Sequence, residues 1–250
     1  MTRHKNLSRS KKILLITTIL FLVTFGAMFL YVNDYYHASA TAQKALESSE
    51  TVTITTIEKD VLAFIPKEPI AGLIFYPGGK VESTSYAPLM HALAKEGILC
   101  LLPEMTFNLA VFEINAAEGL CDHYPEIDNW YIGGHSLGGS MAASYLAKNA
   151  SDFEGLLLCA AYSTSDLSNL NLNILSIYGS EDKVMNLEKY ETYKTNLPKN
   201  FTEYIINGGC HAYFGSYGAQ EGDGTPTIPE EEQLKETVDV ICNAFIYKSS

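Results

Sequence analysis

A chain of 250 residues, 47% apolar and 18% charged, is long enough to bury one sizeable core. Its formal charge is −12, and residues 1–12 hold five basic side chains and no acid, which leaves −17 for the remainder, with no arginine after Arg9. So acidic a body repels nucleic acid and lacks the guanidinium fork that grips phosphate or carboxylate groups in two places.

Residues 13–32 form a run of 20 without a charge. As a helix rising about 1.5 Å per residue it spans roughly 30 Å, the hydrocarbon thickness of a bilayer. Basic residues precede it and Asp34 follows it. The positive-inside rule then places residues 1–12 in the cytoplasm as a basic tail and the remainder outside, with 13–32 as a single-pass anchor. The competing reading is a cleaved signal peptide followed by secretion, since Ala38-Ser39-Ala40 has the A-x-A form. However, the apolar run exceeds the usual signal core of about 7–15 residues and the A-x-A lies well past its end. Residues 33–50 are expected as a short stalk, and 51–250 as the folded domain.

From residue 51 strands alternate with helices. Residues 51–57 and 61–65 read as strands joined tightly around Lys59-Asp60. Residues 71–76 are continuously apolar, as in a strand covered on both faces. Tyr86, Leu89, Met90, Leu93 and Ala94 fall on one helical face of 84–96. Residues 98–102 are the next buried strand, and 109–122 are expected as a helix. Then comes the most informative segment. Trp130, Tyr131 and Ile132 lead into Gly134-His135-Ser136-Leu137-Gly138, and a small-residue helical pattern leads out to 149. This G-x-S-x-G stands between a strand and a helix, so the serine sits on a sharp turn with its hydroxyl exposed and a helix N-terminus behind it. The bland reading is a glycine turn whose serine only caps the helix. Further strands are expected at 155–161, 173–178 and 202–206, and helices at 186–196 and 229–247. Leu234, Val238, Ile241 and Phe245 form the buried stripe of the last helix. Alternating β and α elements predict an α/β fold, a mostly parallel sheet with helices on both faces.

Taken with the Tyr76-Pro77-Gly78-Gly79-Lys80-Val81 loop and the late segment from His211 to Gly218, the elbow resembles the α/β-hydrolase superfamily over about residues 51–250. The chain is similar to small, lidless, dienelactone-hydrolase-like bacterial members. Those use a cysteine nucleophile; here Ser136 stands in its place, so their substrate is not implied. Only about a dozen residues separate the strands near 161 and 173, which leaves no room for a lid domain.

A serine hydroxyl needs a base, and the base an orienting acid. The superfamily order is serine, acid, histidine. His211 is the only histidine after Ser136, which makes it the base. The acid is taken as Asp182, which follows a buried strand and completes a Gly-x-x-Asp pattern favoured by the resemblance; Glu181 and Asp166 are the alternatives. The oxyanion hole is expected from the backbone N–H of Leu137 and, by resemblance, of Gly79 or Lys80. His135 is expected to pack beside the elbow without moving protons. Tyr213, Phe214 and Tyr217 are either one wall of the substrate pocket or packing against the last helix. Cys100, Cys121, Cys159, Cys210 and Cys242 show no metal-ligand or C-x-x-C spacing, and a Cys210–His211 pair is disfavoured because sequence neighbours in extended chain point apart. No metal is assigned. With no P-loop and no G-x-G-x-x-G after the first strand, no nucleotide cofactor is expected. The expected activity is a serine hydrolase of carboxylesterase type. Its partners would be a small-molecule ester or thioester and the membrane, with no nucleic acid. The competing readings are a peptidase or amidase, or an inactive fold used as a binding ectodomain.

Overall fold

In the computed structural model, which describes residues 8–247, the chain divides into two units between Tyr35 and Tyr36. Residues 1–7 of the expected basic tail and 248–250 of the expected folded domain lie outside the described residues. The first unit contains one helix, α1 (Arg9–Asn33), whose 25 residues reach about 37 Å at the usual rise. By length and composition it is apolar enough to cross a membrane.

In the second unit, short apolar runs become strands because only a sheet covered on both faces hides every second side chain on each side. The described strands are β1 (Val52–Ile57), β2 (Val61–Pro66), β3 (Ala71–Tyr76), β4 (Ile98–Pro103), β5 (Trp130–His135), β6 (Gly155–Cys159), β7 (Asn173–Gly179) and β8 (Thr202–Ile206). They form a single sheet in the order β1-β2-β4-β3-β5-β6-β7-β8. The pairs β1–β2 and β2–β4 are antiparallel, and every later pair is parallel. All residues of β3, β4, β5 and β6 are buried. The helix α2 (Ala40–Lys44) precedes the strands, α3 (Ala87–Lys95), α4 (Leu137–Leu146) and α5 (Leu187–Tyr193) lie between them, and α6 (Glu230–Phe245) closes the unit. Leu89, Met90 and Leu93 of α3 share one core with Ile241 and Phe245 of α6. Ala142, Ala143 and Leu146 of α4 build a second core on the opposite face. Residues 160–172 hold only bends and turns, so no lid domain is inserted between β6 and β7.

Two expectations about local structure change. The helix expected at 109–122 is replaced by short 3-10 turns at Ala110–Phe112 and Cys121–His123. A buried side chain from another strand is the cause. The Tyr76 hydroxyl donates to the carbonyl of Ile114 at 2.9 Å and accepts the N–H of Ala117 at 2.8 Å. These groups are then spent outside an α-helical ladder, and Gly119 continues at φ 78.

The segment expected as a stalk is, from Tyr36 onward, folded against the second unit. Tyr36 bridges to Val81, with its N–H donated to the Lys80 carbonyl at 2.8 Å and its own carbonyl accepting from Glu82 at 2.9 Å. Ser39 N–H donates to the Ser216 carbonyl at 2.8 Å, Ser39 caps α2, and Ala42 is fully buried. A chain beginning at Tyr36 is therefore expected to melt where the longer chain does. One beginning at Thr51 loses several backbone bonds worth roughly 1 kcal/mol each, and is expected to melt lower by on the order of 10 °C. Thermal unfolding of the two proteins checks this; equal midpoints would show that the segment contributes nothing.

Candidate active site

The C-terminal ends of β3, β4, β5 and β6 carry most of the backbone strain. Among the described residues six non-glycines have positive φ, and five of them lie just beyond these strands: Lys80, Phe107, Asn108, Ser136 and Ala160. Each such conformation costs roughly 1–3 kcal/mol. Strain gathered at one sheet edge marks that edge as built for something other than stability.

Ser136 joins β5 to α4 with φ 52 and ψ −119. Its N–H donates to the Cys159 carbonyl at 2.9 Å, and its carbonyl receives Ser140 N–H at 3.2 Å. Its side chain makes no capping bond, so the hydroxyl is not spent on the helix. The turn is possible because Gly138 lies flat on the β3 end, where a Cβ would overlap the carbonyl oxygens of Tyr76 and Pro77. Any other residue there would push the elbow off the sheet.

His211 and Asp182 meet beside this turn. His211 Nδ1 lies 2.8 Å from Asp182 Oδ2, and both residues are buried. Asp182 Oδ1 accepts the N–H groups of Val184 and Met185, each at 2.9 Å, which fixes the carboxylate plane. A carboxylate accepts only, so Nδ1 is the nitrogen that donates to Asp182, and in the neutral tautomer this leaves the lone pair on Nε2. That Nε2 is buried with no hydrogen-bond partner. The two alternative acids sit elsewhere: Asp166 is exposed and turned onto Ser168, and Glu181 accepts from its neighbour Ser180.

His135 packs against His211 with ring centroids 4.4 Å apart. Burial, reinforced by the neighbouring His211, holds its pKa far below the ordinary imidazole value, so it stays neutral. Its Nδ1 lies 2.8 Å from the Tyr86 hydroxyl, which in turn accepts the Gly78 N–H at 2.9 Å. Tyr86 then donates to His135, and a buried phenol sets the conformation of the glycine loop. Nothing in the sequence separated Tyr86 from the apolar stripe around it.

The glycine loop resolves which N–H groups are open. Gly78 N–H is held by Tyr86, and Lys80 N–H donates to the Asn108 carbonyl at 2.7 Å. Of the expected donors in this loop Lys80 is therefore committed, and Gly79 is left. A Cβ on Gly79 would stand 3.0 Å from the Leu137 side chain, so the loop and the first residue of α4 are neighbours.

A groove of about 250 Å³ opens at Ser136, lined by Leu137, Tyr162, Val184, Met185 and Asn186 among others. Tyr213, Phe214 and Tyr217 do not line it. Phe214 and Tyr217 are buried in the core shared with α6; Phe214 lies 5.7 Å from the His135 ring, and Tyr217 packs on Tyr36 at 5.4 Å. Tyr213 lines a separate cavity with Cys210 and Gln220. The aromatic run follows a 3-10 turn at Ala212–Phe214, which rotates these rings away from Ser136. Position was the available signal for Tyr162, Val184 and Met185, since all three directly follow β6 or β7. Cys210 is buried, and burial pushes its thiol pKa up to about 12, which leaves it unreactive as a thiolate at neutral pH.

A model of the alpha/beta hydrolase family matches residues 72–235. Three solved structures share the fold. TT1662 from Thermus thermophilus superposes with TM-score 0.57 at 14% identity, covering 78% of this chain and 98% of that one. Est1E from Butyrivibrio proteoclasticus gives TM-score 0.56 at 12% identity, covering 78% and 99%. A predicted CIB-like hydrolase from Thermoplasma acidophilum gives 0.55 at 15%, covering 77% and 98%. No curated protein sequence matches significantly.

Proposed function

We propose, from the premise that the chain belongs to the alpha/beta hydrolase family, that it is a serine hydrolase of small carboxylic esters or thioesters. The observation that carries this reading is the buried Asp182–His211 pair, with an unpartnered Nε2, beside a serine on a strained elbow. In the proposed reaction His211 Nε2 takes the proton as Ser136 Oγ attacks the carbonyl. The N–H groups of Gly79 and Leu137 hold the oxyanion, aided by the N-terminus of α4. Collapse of the tetrahedral adduct expels the alcohol or thiol, which leaves with the proton from His211. Water, deprotonated by His211, then attacks the acyl-enzyme; the acid departs and Ser136 is restored. His135, neutral and tied to Tyr86, keeps out of this proton traffic.

We further read α1 as an uncleaved anchor, with Arg9, Lys11 and Lys12 on the cytoplasmic side and the hydrolase domain outside. One experiment separates the two parts of the reading. A membrane-impermeant fluorophosphonate added to intact cells is expected to label Ser136. Labelling only after lysis would reverse the topology; no labelling in either case would remove the serine mechanism.

The groove at Ser136 supports a short acyl group. Its volume is about 250 Å³, and Leu137, Tyr162, Val184 and Met185 line it without closing over it. On the β4 side of the elbow lie Phe107, Val111 and Phe112, about half exposed, in the segment whose Asn108 holds the glycine loop. This surface is open and suits an apolar leaving group better than a sealed acyl chain. An enclosing tunnel would raise kcat/KM about fourfold per methylene, from about 0.8 kcal/mol for each buried CH₂. The expected profile instead peaks between acetyl and butyryl esters and does not rise toward octanoyl or palmitoyl. A steep rise to palmitoyl would overturn the short-acyl assignment.

A further inference from the structure

The segment between His211 and α6 has no task in the reaction just described. It contains Gln220-Glu221-Gly222-Asp223-Gly224, and the side chain of Asp223 reaches the loops that carry His211 and Asp182. Its Oδ2 accepts the N–H of Ala212 at 2.9 Å, and its Oδ1 lies 3.3 Å from the N–H of Lys183 and 2.8 Å from that of Gly224. Ala212 directly follows His211, and Lys183 directly follows Asp182. One carboxylate thus grips the next residue after each member of the acid–base pair. Those two loops leave different strands, β7 and β8, and the 2.8 Å contact between His211 and Asp182 depends on their spacing. The Ala212 bond is the shorter at 2.9 Å and the Lys183 contact the longer at 3.3 Å, and together they span the gap between the two loops.

The segment is itself held. Gly224 lies so close to the Asp182 loop that a Cβ would overlap the Glu181 carbonyl oxygen. Thr227 N–H donates to the Gly208 carbonyl at 2.9 Å, Glu221 N–H to the Tyr36 hydroxyl at 3.0 Å, and Tyr217 to Gln220 at 2.9 Å. Both carboxylate oxygens face N–H donors, so the Gly-Asp-Gly sequence serves as a backbone clamp.

We propose that Asp223 is a positioning residue of the catalytic pair: it locks the acid loop to the histidine loop and sets the direction of His211 Nε2. The proposal rests on Ser136, Asp182 and His211 being the catalytic set. Displacing a reacting group by about 1 Å costs about 10²-fold in rate, and that loss in kcat is expected for Asp223→Ala. KM is expected to stay within about twofold, because Asp223 does not line the groove at Ser136. Asp223→Asn keeps the shape but turns an amine toward one of the two N–H groups, and is expected to lose less. Amide hydrogen exchange at Ala212 and Lys183 is expected to speed up in both variants. So is loss of the low-field NMR signal of the His211 Nδ1 proton.

Unchanged kcat in Asp223→Ala, or a loss appearing only in KM, would overturn the clamp. So would unchanged exchange at both amides. If Asp223→Ala fails to fold, Asp223→Asn decides by the same measurements. The exchange and NMR readouts need no substrate. A wild-type protein that fluorophosphonate does not label would therefore remove the serine reading while the clamp was still judged at Ala212 and Lys183.

Discussion

Ser136→Ala is expected to abolish ester hydrolysis, with a fall in kcat of about 10⁶-fold, the scale seen when a triad serine is removed. The residual rate, which comes from the oxyanion donors and binding alone, should no longer depend on His211. Stability is expected to change by less than about 1 kcal/mol. The reason is local. The Ser136 side chain makes no capping bond, and its positive φ strains alanine as much as serine. A p-nitrophenyl butyrate assay with a parallel thermal melt checks both halves. Turnover that survives in a folded Ser136→Ala protein would remove the nucleophile assignment.

Asp182→Asn is expected to lower kcat by about 10⁴-fold, as for replacement of the orienting carboxylate in a Ser-His-Asp triad. Asparagine can still accept the N–H groups of Val184 and Met185 through its carbonyl oxygen. Its amine then faces His211 Nδ1, so the imidazole must accept there and carry its proton on Nε2. In that tautomer Nε2 cannot take a proton from Ser136. Asp166→Asn and Glu181→Gln are expected to leave kcat within about twofold, since neither side chain contacts His211. Steady-state kinetics on the three variants decides the acid. A 10⁴-fold loss at Asp166 would place the acid after β6 instead of β7.

The strand–turn–helix around Ser136 was legible because its signal is contiguous. A β-prone run, a glycine-rich turn and a small-residue helix are all read within about twenty residues, and strand–turn–helix follows from local sterics. The same holds for β3 and β8, whose bounds at Ala71–Tyr76 and Thr202–Ile206 match the runs in the sequence. His211, the last histidine of the chain, is the one the fold pairs with Asp182.

What stayed hidden depends on groups far apart in sequence. The run at 109–122 has a helical composition, but the Tyr76 hydroxyl, 38 residues before Ile114, takes its backbone groups. Residues 33–50 read as a stalk because the surface that receives Tyr36 and Ser39, from Lys80 to Glu82 and Ser216, is assembled only by folding. Lys80 and Gly79 look equivalent in a glycine loop until Asn108, in the 3-10 turn after β4, claims the Lys80 N–H. Tyr213, Phe214 and Tyr217 announce an aromatic surface without saying which side of the turn it faces. By itself the sequence determined the hydrolase fold class and the strand–helix alternation, because both rest on residue type and short-range periodicity. The tertiary structure alone decided which backbone N–H groups are open, which carboxylate meets His211, and what Asp223 holds. Each of these depends on hydrogen bonds between loops that leave different strands, and no local pattern encodes those distances.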